Sequence, residues 1–352
     1  MLNLFIMHTQ YNLILAEAIK QQCFNDDTNV LMLHAEFNLQ EDLLENLRSQ
    51  YDEVIVLQDQ YFDFHRSNAF ADIKKKLKKI DFNKFDKVGR IILAQDNYLD
   101  MLIASKISVH TVPEIYSVEE DCYFSLRSEL NNPLYKEDRS FIRELYYRLL
   151  RIRFGNNKLY EHYHCYAHNS HIKGIYLLYP QEMRKELDGK ERIPVKQLYM
   201  SAAIDTLYKQ SMDIGETTNK KIVFFFDLIE RYNDPDGICS LAIQILNLCN
   251  ENGWEFWFKY HPRETMKMSQ LKSDNCVELP LGIPAEKVIR NLKPGRDLVI
   301  GNSTTAIQVA NYYGIETYSV LKMNKSDNMQ LLQFYENIGI HLPMDCNDIC
   351  LK

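Results

Sequence analysis

A short, mostly apolar run over residues 2–7 is followed by Leu13, Ile14, Ala16 and Ile19 at helical spacing. The unbroken run predicts a buried strand, and the spacing predicts an amphipathic helix over 11–22. The alternation continues with a strand at 29–33, a helix at 39–49 and a strand at 53–57. A charged helix is expected across 62–80, then a strand at 90–94, a helix at 97–105 and a strand at 114–118. After the polar stretch 213–220 the pattern restarts. Strands are expected at 221–226, 254–260, 298–300 and 316–320, with helices at 238–250, 285–292 and 304–313 between them. Strands alternating with helices of this length make parallel βαβ units. The chain therefore reads as α/β, with two Rossmann-like doubly wound domains facing a cleft. An N-terminal, acceptor-side domain is expected over 1–205, a linker over 206–220 and a C-terminal, nucleotide-donor-binding domain over 221–352. Residues 160–203 show no clear pattern and read as a segment joining the domains.

At 352 residues the chain has room for two domains. Its net charge of −7 argues against a nucleic-acid partner. Basic stretches at 74–79 and 148–153 read as solvated helix faces, with attraction to an anionic membrane surface as the sharper alternative. The 22 tyrosines and 17 phenylalanines are too many to be sugar platforms, so most of them should be core. Eight cysteines are scattered without a CxxC pair, which suits a reducing compartment. The start lacks a basic leader region, and no apolar run reaches the roughly 18 residues that span a bilayer. The expectation is a cytoplasmic protein, with peripheral contact at the inner face of the membrane.

In open α/β sheets ligands sit at the carboxyl ends of the strands, and several motifs fall there. Lys259-Tyr260-His261-Pro262-Arg263 follows the strand at 254–258, and Pro262 restricts the backbone of His261. Gly301-Asn302-Ser303-Thr304 turns from a strand into a helix. Ser303 is the expected N-cap, and free amides plus hydroxyls there suit an anion. Glu119-Glu120-Asp121-Cys122 ends the strand at 114–118; adjacent carboxylates raise one another's pKa and suit a general base. Glu286 opens a helix and suits a ribose diol. Gln10 and Gln95-Asp96-Asn97 are acceptor-side positions. Two clusters count for less. His162, His164, Cys165, His168 and His171 have poor ligand spacing for zinc, and Asp234-Pro235-Asp236 reads as a helix cap, not a Mg²⁺ clamp. Asp227, just past a strand, is held in reserve as a base.

In order along the chain, Glu120-Asp121-Cys122, His261-Pro262 and Ser303-Thr304 resemble the motifs of bacterial sialyltransferases of the lipooligosaccharide and capsule type. That family carries an acidic-acidic-Gly motif, then His-Pro, then Ser-Ser or Ser-Thr. The opening Asn3-Leu4-Phe5-Ile6, Thr9-Gln10 and Leu15-Ala16-Glu17, and the string Ile283-Pro284-Ala285-Glu286, are similar as well. The resemblance implies a GT-B fold and inverting, metal-independent transfer of sialic acid from CMP-sialic acid to a terminal sugar, galactose for preference, of a bacterial surface glycan. It implies that His261, Ser303 and Thr304 hold the phosphate, that Lys259 and Glu286 contact the nucleotide, and that Asp121 or Glu120 is the base. No cofactor is implied beyond the donor. Cys122 stands where the family has Gly, and a Cβ there narrows the backbone conformations available. The alternatives are a GT-B transferase using a nucleotide diphosphate sugar, or an inactive glycan-binding protein of the same fold.

Overall fold

The computed structural model describes residues 1–58, 69–108, 112–120, 148–150, 152–155, 158–159, 167–209, 218–265, 267–268, 270–271 and 273–349. The chain divides into two compact units, Met1–Leu207 and Tyr208–Lys352.

The first unit is built on a seven-stranded sheet. Its strands are β1 (Leu2–Met7), β2 (Thr28–His34), β3 (Glu53–Gln58), β4 (Val88–Leu93), β5 (Glu114–Val118), β6 (Ile172–Leu177) and β7 (Glu191–Pro194). They lie in the order β3-β2-β1-β4-β5-β6-β7, and every neighbouring pair is parallel. β1 is central and buried from Asn3 onward, which is why its sequence is nearly unbroken in apolar residues. The helix α1 (Gln10–Cys23) starts at Thr9, whose hydroxyl accepts the Asn12 amide while the Asn12 side chain accepts the Thr9 amide. Positions 11 to 20 of α1 are buried on all sides, not on one face. The reason is a second helix, α5 (Gln197–Leu207), packed against α1. Glu17 and Lys20 are tolerated there because they pair at 3.0 Å, and Lys20 also donates to the Gln50 carbonyl at 2.7 Å.

The segment 160–203 does not join the units; its described part completes the first one. β6, β7 and α5 all come from it. Its strands escaped detection because Lys173-Gly174 interrupts β6 and β7 is a largely exposed edge ending at Pro194, where proline is tolerated. Gly174 is needed for close approach: a Cβ there would lie 2.9 Å from the Glu191 side chain and 3.1 Å from its carbonyl oxygen. Of the expected linker, residues 206–207 end α5, and 210–217 lie outside the described residues.

The remaining helices of the first unit are α2 (Glu41–Gln50), α3 (Ala69–Leu77) and α4 (Tyr98–Ile107). The basic stretch 74–79 runs off the end of α3 and is not a uniform solvated face. Lys76 is buried against Asp72 at 2.6 Å, and Lys79 donates to the Val56 and Leu57 carbonyls.

The second unit has a five-stranded parallel sheet in the order β10-β9-β8-β11-β12. Its strands are β8 (Lys221–Phe225), β9 (Glu255–Lys259), β10 (Cys276–Glu278), β11 (Leu298–Gly301) and β12 (Glu316–Ser319). Its helices are α6 (Pro235–Asn252), α7 (Ala285–Arg290), α8 (Thr305–Tyr312) and α9 (Met329–Ile338). Most described aromatics of this unit are core, as their abundance suggested. Phe224 stacks on Phe226 with centroids 4.4 Å apart, and Phe226 on Tyr260 at 5.5 Å. The described cysteines Cys23, Cys239, Cys249, Cys276 and Cys346 are free thiols. No helix among the described residues is long and apolar enough to cross a membrane.

Candidate functional site

In the second unit the chain leaves β8 in one direction for β9 and reaches β11 on the other side. The crevice at the carboxyl ends of β8 and β11 is therefore the topological switch point, where such sheets take their ligands. Register brings the motifs to one level there, because Phe225 pairs with both Lys259 and Gly301. Two residues further on stand Asp227, His261 and Ser303.

The strand-to-helix turn after β11 depends on Gly301. A Cβ there would sit 2.7 Å from Ile307 and 3.0 Å from Thr304, both side chains of the turn that follows. Thr304, not Ser303, is the N-cap of α8, its hydroxyl accepting the Ala306 amide. Ser303 is instead held by Asp227. Asp227 Oδ2 accepts the Ser303 amide at 3.1 Å, the Ser303 hydroxyl at 2.9 Å and the Asn302 side-chain amide at 3.1 Å. Asn302 is buried, and its carbonyl accepts the Ser319 hydroxyl at 2.6 Å. The turn thus presents three convergent donors, and a carboxylate of the same unit engages them.

His261 is half-buried, and its Nδ1 accepts the Arg263 amide at 3.2 Å. In the neutral ring the proton then lies on Nε2, which can donate to a ligand. Burial pushes its pKa down, the charges of Arg263 and Arg231 push the same way, and Asp227 and Glu264 oppose them. Pro262 and Arg263 turn the chain after His261, and the Glu264 amide closes the turn on the His261 carbonyl at 2.9 Å.

Lys259 and Glu286, which the resemblance implies contact the nucleotide, are both buried. Lys259 donates to the carbonyls of Pro280 and Leu281 at 3.1 Å each, fixing the loop ahead of α7. Burial pulls its pKa down to about 8, opposed by the charge of Glu286. Burial raises Glu286, opposed by its own backbone amide and by Lys259. Asp234 is a cap, as its proline loop suggested: it accepts the Gly237 amide at 3.0 Å, with Pro235 in the first turn of α6.

In the first unit the switch point lies between β1 and β4. Of the three carboxylates after β5, Glu119 is buried and has a structural task. It accepts the Tyr11 hydroxyl at 3.1 Å and the Leu178 amide at 2.7 Å, tying β5 to α1 and to the end of β6. Glu120 accepts the Gln95 side-chain amide at 2.9 Å. Asn97 donates to Gln95 Oε1 at 3.1 Å and lies 3.4 Å from Asp100 Oδ2, which is 2.7 Å from His8 Nε2. A continuous polar chain therefore runs from His8 to Glu120. Burial pushes the Asp96 carboxyl up to about 6, against backbone amides of Asp96, Asn169 and Ala167. Gln10 opens α1 beside this crevice. Asp121, Cys122, His162, His164 and Cys165 lie outside the described residues.

The sequence reading missed His8, His34 and Asp100, a buried cluster at the carboxyl edge of the first sheet. The available signal was position: His8 follows β1 directly and His34 ends β2. It also missed Arg231, a cation close enough to His261 to affect its titration, which sits in a short turn without a recognisable pattern.

No family model matches the chain, and no curated protein matches it. Solved structures do. A candidate UDP-N-acetylglucosamine 2-epimerase from Listeria monocytogenes superposes with a TM-score of 0.57 at 13% identity, over 99% of this chain and 85% of that one. A UDP-glucosyltransferase from Polygonum tinctorium gives a TM-score of 0.53 at 10% identity, over 97% and 84%. The glycosyltransferase of kitacinnamycin gives 0.52 at 8% identity, over 99% and 87%. The chain has their α/β fold of two Rossmann-like units, the GT-B type.

Proposed function

We propose that this protein is a glycosyltransferase whose donor is a nucleotide-activated sugar, with the donor phosphate held at the β8–β11 switch point. The observation that carries this reading is that Ser303 and His261 stand at one level of the second sheet, with the Asn302 side chain converging on the same carboxylate oxygen as Ser303. Backbone and side-chain donors at a helix start suit a phosphate. The neutral His261 ring adds a donor whose hydrogen bond strengthens as charge develops on the leaving phosphate. Lys259 and Glu286 then act from below, holding the 280–286 segment against which a nucleoside would rest. Glu120, oriented by Gln95, is the described candidate for the base that takes the acceptor's proton.

The finer reading is CMP-sialic acid as donor and a galactose-ended surface glycan as acceptor. It rests on the ordered motifs Glu120-Asp121, His261-Pro262 and Ser303-Thr304. A nucleoside monophosphate leaving group needs no metal clamp, and Asp234 of the Asp234-Pro235-Asp236 string caps α6. The exposed Lys74, Lys75 and Lys78 are where a lipid-linked acceptor at an anionic surface would be met. A second reading, a UDP-sugar donor, is favoured by the names of two structures that share the fold. Fold alone does not choose between them.

The test is turnover, in EDTA and again with added Mg²⁺, with CMP-sialic acid and a galactose-terminated acceptor beside UDP-glucose and UDP-N-acetylglucosamine. Sialyl transfer supports the finer reading. Transfer from a UDP-sugar alone replaces it with the second, and no turnover of any donor removes both.

A further inference from the structure

Under the carboxyl ends of β1, β2 and β3 lies a polar cluster that the proposed chemistry leaves unused. His8 follows β1, His34 ends β2, and Asp100 stands in the first turn of α4. All three side chains are buried, and one ligand atom from each lies within 4.8 Å of the others. His8 Nε2 is 2.7 Å from Asp100 Oδ2, and its Nδ1 is 3.4 Å from Glu36 Oε1. His34 Nε2 is 2.8 Å from Gln58 Oε1 and 2.8 Å from Lys76 Nζ. The two imidazole rings are 4.9 Å apart.

Internal hydrogen bonding does not satisfy this cluster. Among the described residues, His8 Nδ1, His34 Nδ1 and Asp100 Oδ1 are buried and have no hydrogen-bond partner. If Lys76 donates to His34 Nε2, the ring proton is on Nδ1, where nothing accepts it. If Nε2–H donates to Gln58 instead, Nδ1 presents a bare lone pair to the protein interior. Each tautomer leaves one end of the ring unmatched, an expensive arrangement in a buried network.

We propose that His8, His34 and Asp100 form a binding site for a divalent metal ion of the zinc class. Two imidazoles and a carboxylate are a characteristic zinc donor set. His8 ligates through Nε2, with Glu36 Oε1, 3.4 Å from Nδ1, placed as the outer carboxylate that ligating histidines commonly have. His34 ligates through the orphaned Nδ1, with Nε2–H donated to Gln58. Lys76 keeps its partner Asp72 at 2.6 Å. The charges also favour a dication: Asp72, Glu36 and Asp100 outnumber Lys76 by two, which a divalent ion on neutral histidines balances. Bound there, the ion ties the ends of β1 and β2 to α4, and through Asp100 and Asn97 to the Gln95 that orients Glu120. The role is structural and does not depend on which donor the second unit takes.

The experiment uses the metal-stripped full chain titrated with CoCl₂, then ZnCl₂. One equivalent of Co²⁺ should bind with the visible absorption of low-coordinate cobalt and without a thiolate charge-transfer band. Zn²⁺ should displace it and raise the melting temperature. Asp100→Asn and His34→Gln should each abolish the cobalt bands while retaining the wild-type circular dichroism. Should either variant not fold, X-ray absorption at the zinc edge of the wild-type complex decides, with two imidazoles and an oxygen shell expected. No stoichiometric binding, a sulfur shell, or unchanged binding in both folded variants would overturn the proposal. The last two outcomes would place the ion elsewhere, such as at His162, His164 and Cys165.

Discussion

Asp227 engages Ser303 through both of that residue's donors, the amide at 3.1 Å and the hydroxyl at 2.9 Å, on a single carboxylate oxygen. A donor phosphate would need those same groups. The carboxylate competes for them and repels the phosphate charge. Asp227→Asn should therefore tighten nucleoside monophosphate binding by about tenfold, equivalent to about 1.4 kcal/mol. Calorimetric titration of the variant measures this. Weaker binding would show that Asp227 holds the turn in shape and does not compete for it.

The turn itself rests on Gly301. A methyl group there meets Ile307 at 2.7 Å and Thr304 at 3.0 Å, so the start of α8 must shift to admit it. Gly301→Ala should cost roughly 1–3 kcal/mol, the usual range for overpacking, and should weaken nucleotide binding in the same variant. Urea unfolding of the full chain gives the first quantity. An unchanged midpoint would mean that the side chains move aside freely.

The described part of this site was legible in sequence where a motif sat directly on a strand end. His261 and Asp227 emerge where the apolar runs stop, and the bounds of β5 match the run at 114–118. What failed were features set by distant packing. Ser303 has the chemistry of a cap, yet Asp227, remote in sequence, engages its hydroxyl and leaves capping to Thr304. Lys76 sits in a run of lysines that looks solvated, but Asp72 and His34 draw it inward. Glu286 reads as a free carboxylate at a helix start, whereas the fold buries it near Lys259. β7 was hidden because an edge strand needs little apolar sequence, and β6 because Lys173-Gly174 interrupts its apolar run.

The His8–His34 pair makes stability fall on both sides of neutrality. For His8, burial opposes the charge, but attraction and hydrogen bonding to Asp100, with help from Glu36, outweigh it and raise the pKa from 6.5 to about 10. Its contribution is complete below 6.5 and is lost as the pH rises through about 10. For His34, burial and the charges of His8 and Lys76 lower the pKa from 6.5 to about 4, against Asp100 and Gln58. Its contribution is complete above 6.5 and is lost as the pH falls through about 4. In EDTA, His8→Gln should flatten the alkaline arm of the urea midpoint against pH, and His34→Gln the acid arm. An alkaline arm unchanged in His8→Gln would contradict the assignment.

Asp234 serves as a helix cap, so its loss should affect stability and not metal-dependent chemistry. Asp234→Ala should lower the urea midpoint of the chain. The Gly237 amide, and then Lys325, hold the Asp234 pKa low, so acidification should erase the difference between variant and wild type. Loss of turnover that added Mg²⁺ restores would instead make Asp234 a metal ligand.

The central claim is that the second unit holds a nucleoside phosphate at the ends of β8, β9 and β11. Calorimetric titration of the full chain with CMP, UDP and GDP in EDTA tests it most directly, alongside His261→Ala and Ser303→Ala. One nucleotide should bind at one site per chain, CMP on the finer reading, and each variant should weaken it about tenfold or more, as expected for a lost hydrogen bond to a charged group. No binding of any of the three, or equal binding in wild type and both variants, would contradict the account.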